Sequence, residues 1–137
     1  MSEVIESLGF RIRAEIDAVE AWQEARRLAE RHGFGTARAH DLATAVSELA
    51  TNLVLHARRG GTLRLAVRRE ADQPVIEITA EDDGPGIADL GRALEDGYST
   101  GGGLGCGLPG TRRLVDRFAI SSAPGIGTRV ACAVRRA

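Results

Sequence analysis

From Asp96 to Gly110 the chain reads Asp-Gly-Tyr-Ser-Thr-Gly-Gly-Gly-Leu-Gly-Cys-Gly-Leu-Pro-Gly. The part up to Gly107 cannot be regular, because glycine pays the largest backbone entropy on ordering and has no side chain to pack. A core must come from the flanks, where the periodicities are clear. Phe10, Ile12, Ala14 and Ile16 alternate with Arg11, Arg13 and Glu15, which predicts a half-buried strand. Asp17, three residues before Glu20, has capping-box spacing and predicts a helix running toward Gly33. Thr36 is placed to cap a second, longer helix to about Arg58, closed by Gly60-Gly61, with Leu42, Val46, Leu49 and Leu53 as its core stripe. Thr62–Arg69 and Pro74–Asp82 read as strands joined by the polar turn Glu70-Ala71-Asp72-Gln73. Ala88–Glu95 fits a short helix. Pro109 suits the first turn of a third substantial helix carrying Leu108, Leu114 and Val115. Phe118–Ser122 and Thr128–Val134 then pair around Pro124-Gly125-Ile126-Gly127. The fold expected is α+β, a two-layer α/β sandwich with helices on one face of a mixed, mainly antiparallel sheet. It is expected to be a single domain over residues 1–137, with its core at about 10–134.

Composition enters mainly through what it excludes. All 18 basic side chains are arginine, and the chain has no lysine. A Walker A phosphate loop and a eukaryotic-type protein kinase both need a lysine on the phosphates, so both are excluded. Schiff-base catalysis is excluded with them. A formal net charge of -1 gives no pull toward nucleic acid or an anionic membrane. No apolar run approaches the roughly 20 residues that span a bilayer. The first residues are acidic where a secretory signal would be basic. Cys106 and Cys132 form neither a disulfide framework nor a metal-ligand spacing, so a reducing, cytoplasmic setting is expected.

Four separated signatures carry the chemistry. Glu48 and Asn52 are four apart on a predicted helix and share a face, with His56 one turn on. An amide oxygen is a suitable hard ligand for Mg²⁺, and a carboxylate one turn away can orient or deprotonate a hydroxyl. The bland alternative is a solvated polar face with an i,i+4 hydrogen bond. Asp82 ends a strand whose alternate residues Ile76, Ile78 and Ala80 are apolar, so it points inward and must find donors. The exocyclic amine of adenine is such a donor, whereas guanine presents an acceptor there. Gly84 and Gly86 would let backbone pass close to a flat base; an acidic exit into a turn is the alternative. By the same parity Asp83 would point outward and is the weaker candidate. Gly105–Gly110 matches G-x-G-x-x-G in form, but no strand precedes it, so the Rossmann reading is rejected. A lid over Asp96–Gly103 running into a helix N-terminus at Leu108–Pro109 fits better, since free N–H groups there favour phosphate oxygens; a plain surface loop is the alternative. Cys106 reads as a small residue tolerated among glycines, and Arg112 and Arg113 follow in the helix. Gly125-Ile126-Gly127-Thr128 is a competent hairpin turn by itself.

The order Glu-x-x-x-Asn, Asp-x-Gly-x-Gly, Gly-x-Gly-x-Gly and Gly-x-Gly-Thr resembles the GHKL (Bergerat-fold) ATPase superfamily, over roughly Phe10 to Val134. Within it, the chain is similar to the bacterial anti-sigma-factor serine/threonine kinases. Gly33-Phe34-Gly35-Thr36, Ser47-Glu48-Leu49-Ala50-x-Asn52, Glu95–Thr100 and Gly102–Gly110 are nearest to the RsbT-like switch-kinase branch. The resemblance implies ATP and Mg²⁺ as cofactors, Asn52 as Mg²⁺ ligand, Glu48 as catalytic base and Asp82 as adenine reader. It implies that Gly84, Gly86 and Ile87 line the base. Gly103, Leu104, Gly105, Cys106, Gly107 and Leu108 would wrap the phosphates, and Thr128 would support the Asp82 contact. It further implies phosphorylation of a serine or threonine on a STAS-domain antagonist or scaffold protein, with a PP2C-type phosphatase as a further partner and neither nucleic acid nor membrane. The alternatives are a sigma-factor-binding anti-sigma kinase and a non-catalytic ATP-gated interaction module. The segment from Asp96 to Gly107 carries no basic residue, which leaves the γ-phosphate contact unassigned.

Overall fold

The structure is a computed structural model, and it describes residues 3–57, 59–82, 107–123 and 127–137. In chain order the elements are β1 (Val4–Ile12), α1 (Glu15–Arg31), α2 (Thr36–His56), β2 (Gly61–Glu70), β3 (Gln73–Asp82), α3 (Gly107–Leu114), β4 (Arg117–Ala123) and β5 (Gly127–Arg135). The strands form one sheet in the order β1-β2-β3-β5-β4. All four pairings are antiparallel, so the sheet has no parallel pair among the described residues.

One face of this sheet is the core floor. Leu63, Leu65 and Val67 of β2, Ile76, Ile78 and Ala80 of β3, and Val130, Cys132 and Val134 of β5 are all buried, at the spacing of two that puts alternate side chains on one face. α2 lies over this floor with Leu42, Val46, Leu49 and Leu53 buried, the predicted stripe. Truncating one of these leucines to alanine would cost about 2–5 kcal/mol. α1 packs on α2 and buries Ala18, Ala21, Ala25, Leu28 and Ala29, four of them alanines whose small side chains allow close approach. The buried Cys132 thiol is pushed up to about 12 by desolvation, which leaves it protonated and inert.

The first strand differs from expectation. It runs Val4–Ile12, with a bulge between Val4 and Glu6, and stops before Ala14 and Ile16. The reason is Asp17. Its carboxylate accepts the backbone N–H groups of Arg13 at 2.9 Å and Ala14 at 3.0 Å, so the helix begins at Glu15 with Asp17 in its first turn. Asp17 is therefore the third helical residue rather than the cap before the helix, and Ile16 is left 70% exposed. Gly35, not Thr36, sits at the N-cap of α2, which ends at His56. The β2–β3 turn forms as predicted, with Glu70 paired to Gln73. Ala71 and Asp72 both take positive φ, 50° and 64°, the pair of left-handed residues that a two-residue hairpin turn requires. The predicted helix over Ala88–Glu95 lies outside the described residues.

The directions of the elements define two ends of the sheet. Ile12 pairs with Gly61 and Gly61 with Asp82, so these three residues share one end. α2 starts at the opposite end, where Arg38 reaches the Arg135 carbonyl, and therefore finishes at the end that holds Asp82.

Candidate functional site

The second half of α2 delivers Glu48 and Asn52 to the Asp82 end. Both are half-buried and lie one helical turn apart, beside a stripe that is fully buried. Desolvation raises the Glu48 carboxyl above its ordinary value of 4.5. A carboxylate shifted this way is better suited to take a proton near neutral pH than a solvated one. His56, the next residue along this line, is exposed.

Asp82 stands at the end of the central strand, half-buried, on the face that carries Ile76, Ile78 and Ala80. The predicted inward parity is met. Its pairing partner on one side is Gly61. On the other side β3 pairs with β5 down to Glu81 opposite Arg129, and one further step along that register brings Thr128 opposite Asp82. Thr128 is 7% exposed.

The third contribution comes from α3, which packs on α2. Just beyond its last turn, the Asp116 carboxylate pairs with Arg38 and accepts the Arg135 backbone N–H at 2.8 Å, both at the far end of the sheet. α3 therefore points its N-terminus toward the end where Asn52 and Asp82 stand. Its first backbone N–H groups, from Gly107 on, carry the partial positive charge of a helix start. The Leu108 side chain is core, 5% exposed, so what Leu108 can offer a ligand is backbone. Arg112 and Arg113 are exposed.

The structure thus brings Glu48, Asn52, Asp82, Thr128 and the start of α3 to one end of the sheet. Gly84, Gly86, Ile87, Gly103, Leu104, Gly105 and Cys106 lie outside the described residues, as do Asp83 and the expected lid. As a metal site the described residues offer hard oxygen donors, the Asn52 amide and the Glu48 carboxylate, which fit Mg²⁺ because it takes few protein ligands and keeps waters and phosphate oxygens. Two features escaped the sequence reading. Thr111 is a fully buried hydroxyl on α3. Gly61, taken only as a helix closer, is a strand residue wedged beside Asp82. Neither has a local sequence signal, because both depend on which elements become neighbours.

Residues 12–133 match the histidine kinase-like ATPase domain family. The serine/threonine-protein kinase RsbT of Bacillus subtilis is 45% identical over 122 residues, which is 88% of this chain and 90% of that protein. The anti-sigma F factor of Halalkalibacterium halodurans is 33% identical over 94 residues, 66% of this chain and 64% of that one. Among solved structures, the RsbU and RsbW domains of a Mycobacterium tuberculosis protein superpose with a TM-score of 0.65 at 18% identity. That match covers 95% of this chain, which spans 32% of that one. The mycobacterial sensor histidine kinase MprB superposes with a TM-score of 0.55 at 18% identity, covering 95% and 96% of the two chains. At such identities the structural matches speak for the fold alone.

Proposed function

Because the chain belongs to the family of histidine kinase-like ATPase domains, we propose that it is an Mg²⁺- and ATP-dependent protein serine/threonine kinase of the RsbT type. Its substrate is a serine or threonine on a STAS-domain antagonist or scaffold protein, and a PP2C-type phosphatase is a further partner in the same switching circuit. The observation that carries this reading is the meeting of Glu48, Asn52, Asp82 and the α3 N-terminus at one end of the sheet.

In this reading Asp82 accepts the exocyclic amine of adenine and Thr128 holds the Asp82 carboxylate. The α3 N-terminus receives phosphate oxygens on its free N–H groups. Asn52 holds the metal through its amide oxygen, with Glu48 one turn away to take the proton of the attacking hydroxyl. Burial raises the Glu48 carboxyl above its ordinary value, a shift in the direction that task favours. Mg²⁺, when bound, neutralises charge on the transferring phosphoryl group. Little else is asked of the protein beyond alignment, which is worth several orders of magnitude in rate.

The test is transfer of labelled phosphate from ATP to purified STAS-domain proteins, with wild type beside Glu48→Ala and Asn52→Ala. Transfer that depends on both side chains is expected. Undiminished transfer by both variants would sink the assignments. A second reading is favoured by the likeness to anti-sigma F factor over two-thirds of the chain, namely a kinase that also sequesters a sigma factor. Retention of a sigma factor on the immobilised, ATP-loaded chain would select it.

A further inference from the structure

Gly60 and Gly61 are seated where no side chain fits, at the end of the sheet where the proposed site is built. A methyl group on Gly60 would come 2.1 Å from the Ile12 carbonyl oxygen, and Gly60 takes φ of 71°. A methyl group on Gly61 would come 2.1 Å from the Glu81 carbonyl oxygen, 2.9 Å from Leu53 Cδ2 and 3.0 Å from the Asp82 Cα. Side chains do not approach other atoms that closely, so the space beside Gly61 is filled already, from the sheet by β3 and from above by Leu53. The Leu53 side chain is buried, and its chain neighbour is Asn52. Asp82 is the pairing partner of Gly61. A single layer of contacts, Leu53 on Gly61 and Gly61 against Asp82, thus links the helix turn bearing Asn52 to the strand end bearing Asp82.

We propose that Gly61 and Leu53 are positioning residues for base recognition, fixing the Asp82 carboxylate relative to the Asn52 turn so that it meets the 6-amino group of adenine. The inference rests on the reading of Asp82 as the base-reading group. Neither residue touches nucleotide. Gly61 acts by letting β3 lie against β2 with nothing interposed, and Leu53 acts by pressing α2 onto that spot. Any side chain at Gly61 must push the end of β3 and the Leu53 turn apart, which moves the two halves of the site away from each other.

The readout is discrimination, not affinity alone. ATP and ITP differ at the 6-position, where ITP presents an acceptor to the Asp82 carboxylate. Their Mg²⁺ complexes are titrated calorimetrically into the full chain. Wild type is expected to prefer ATP by at least about 100-fold, because a site built around one hydrogen bond strongly rejects an analogue that cannot make it. In Gly61→Ala that preference falls by about 10-fold or more, since misplacing a recognising group by an ångström costs this order of effect. Leu53→Ala, which leaves both glycines intact, loses roughly 3–10-fold of the preference for the same reason. The control is Leu42→Ala, in the same buried stripe but near the other end of the sheet, which lowers Tm while leaving the ATP:ITP ratio unchanged.

A ratio that moves no further in Gly61→Ala and Leu53→Ala than in Leu42→Ala overturns the inference and leaves the assignment of Asp82 standing. If Gly61→Ala does not fold, as judged by circular dichroism, Leu53→Ala against Leu42→Ala decides. A wild type that binds ATP and ITP equally removes base reading by Asp82 itself, and this inference with it.

Discussion

The two ends of the sheet differ in how closely the backbone is fitted and in where half-buried polar groups gather. At the far end, charged side chains tie neighbouring elements together. Glu6 of β1 accepts Arg31 at 2.8 Å and lies 2.8 Å from His32 Nε2, holding the end of α1 to the edge strand. Arg38 pairs with Asp41 and Asp116 and donates to the Arg135 carbonyl, joining α2, the exit of α3 and β5. Arg117 forms a two-pronged pair with Glu70 at 2.8 and 2.7 Å, and Arg136 donates to Gln73 at 2.8 Å. The end that holds Asp82 has side-chain ties of its own, Arg129 with Glu81 at 3.2 Å and Arg11 donating to the Arg59 carbonyl at 3.3 Å, but adds a close backbone fit, with Gly60 and Gly61 seated without side chains and Leu53 beside Gly61. Its half-buried polar groups, Glu48, Asn52 and Asp82, face the same region as the start of α3. The difference teaches where this fold spends its polar groups. The far-end carboxylates hold the scaffold, whereas Glu48 and Asn52 stand half-buried one turn apart on α2, placed to meet a ligand.

The largest effect that could break this comparison is on chemistry. Glu48→Gln should cut phosphoryl transfer by about 10²–10⁴-fold, the usual worth of a general base. Because Glu48 is ionised at neutral pH only against a desolvation cost, the same change should leave Tm unchanged or raise it. A Glu48→Gln protein that keeps full transfer and loses stability would mean the near end is scaffold as well. Next in size is Arg38→Ala. Losing three partners at a partly buried guanidinium should cost about 1–2 kcal/mol. That corresponds to a drop in Tm of roughly 3–8 °C. ATP affinity and transfer at temperatures well below the transition should not change. A loss of transfer without a loss of stability would show that the far end reaches the site.

How much of this was legible in the sequence follows from which interactions decide each element. The α2 stripe Leu42, Val46, Leu49 and Leu53 reads directly, because a helix repeats its burial within its own sequence. For the same reason the Glu48/Asn52 face reads too. The period of two fixed β2, β3 and β5 to within a residue or so and aimed Asp82 inward. The first strand failed because Ala14 and Ile16 continue the alternation of Phe10 and Ile12, while a competing local signal, the Asp17 carboxylate on two backbone N–H groups, turns the chain into helix. Gly61 was misjudged for a different reason. Its importance lies in contacts with Leu53, Glu81 and Asp82, which exist only once the register of β2 against β3 is set. Thr111 likewise gives no local sign that α3 will bury its hydroxyl.

The smallest effect is the most direct on the contrast between the ends, because acid should act on them with opposite sign. At the far end Arg117 holds the Glu70 carboxyl below its ordinary value of 4.5 through their hydrogen bonds, and His32 and then Arg31 do the same for Glu6. A lowered carboxyl contributes stability at pH above its unfolded value and loses that contribution as pH falls through its native value. Glu48 is raised by burial, so its contribution is full below 4.5 and drains away as pH rises through its native value. Tm is then measured against pH for wild type, Glu70→Gln and Glu48→Gln. Glu70→Gln should be the less stable by a few tenths of a kcal/mol at neutral pH, the scale of an exposed pair screened by water, and the gap should close on acidification below 4.5. Glu48→Gln should show the reverse, a gain over wild type that opens as pH rises from the ordinary carboxylate range and is absent in acid. Should both variants shift stability in the same direction with pH, the two ends would not differ in kind, and the Glu48 carboxylate would be one more scaffold group paired in the native state.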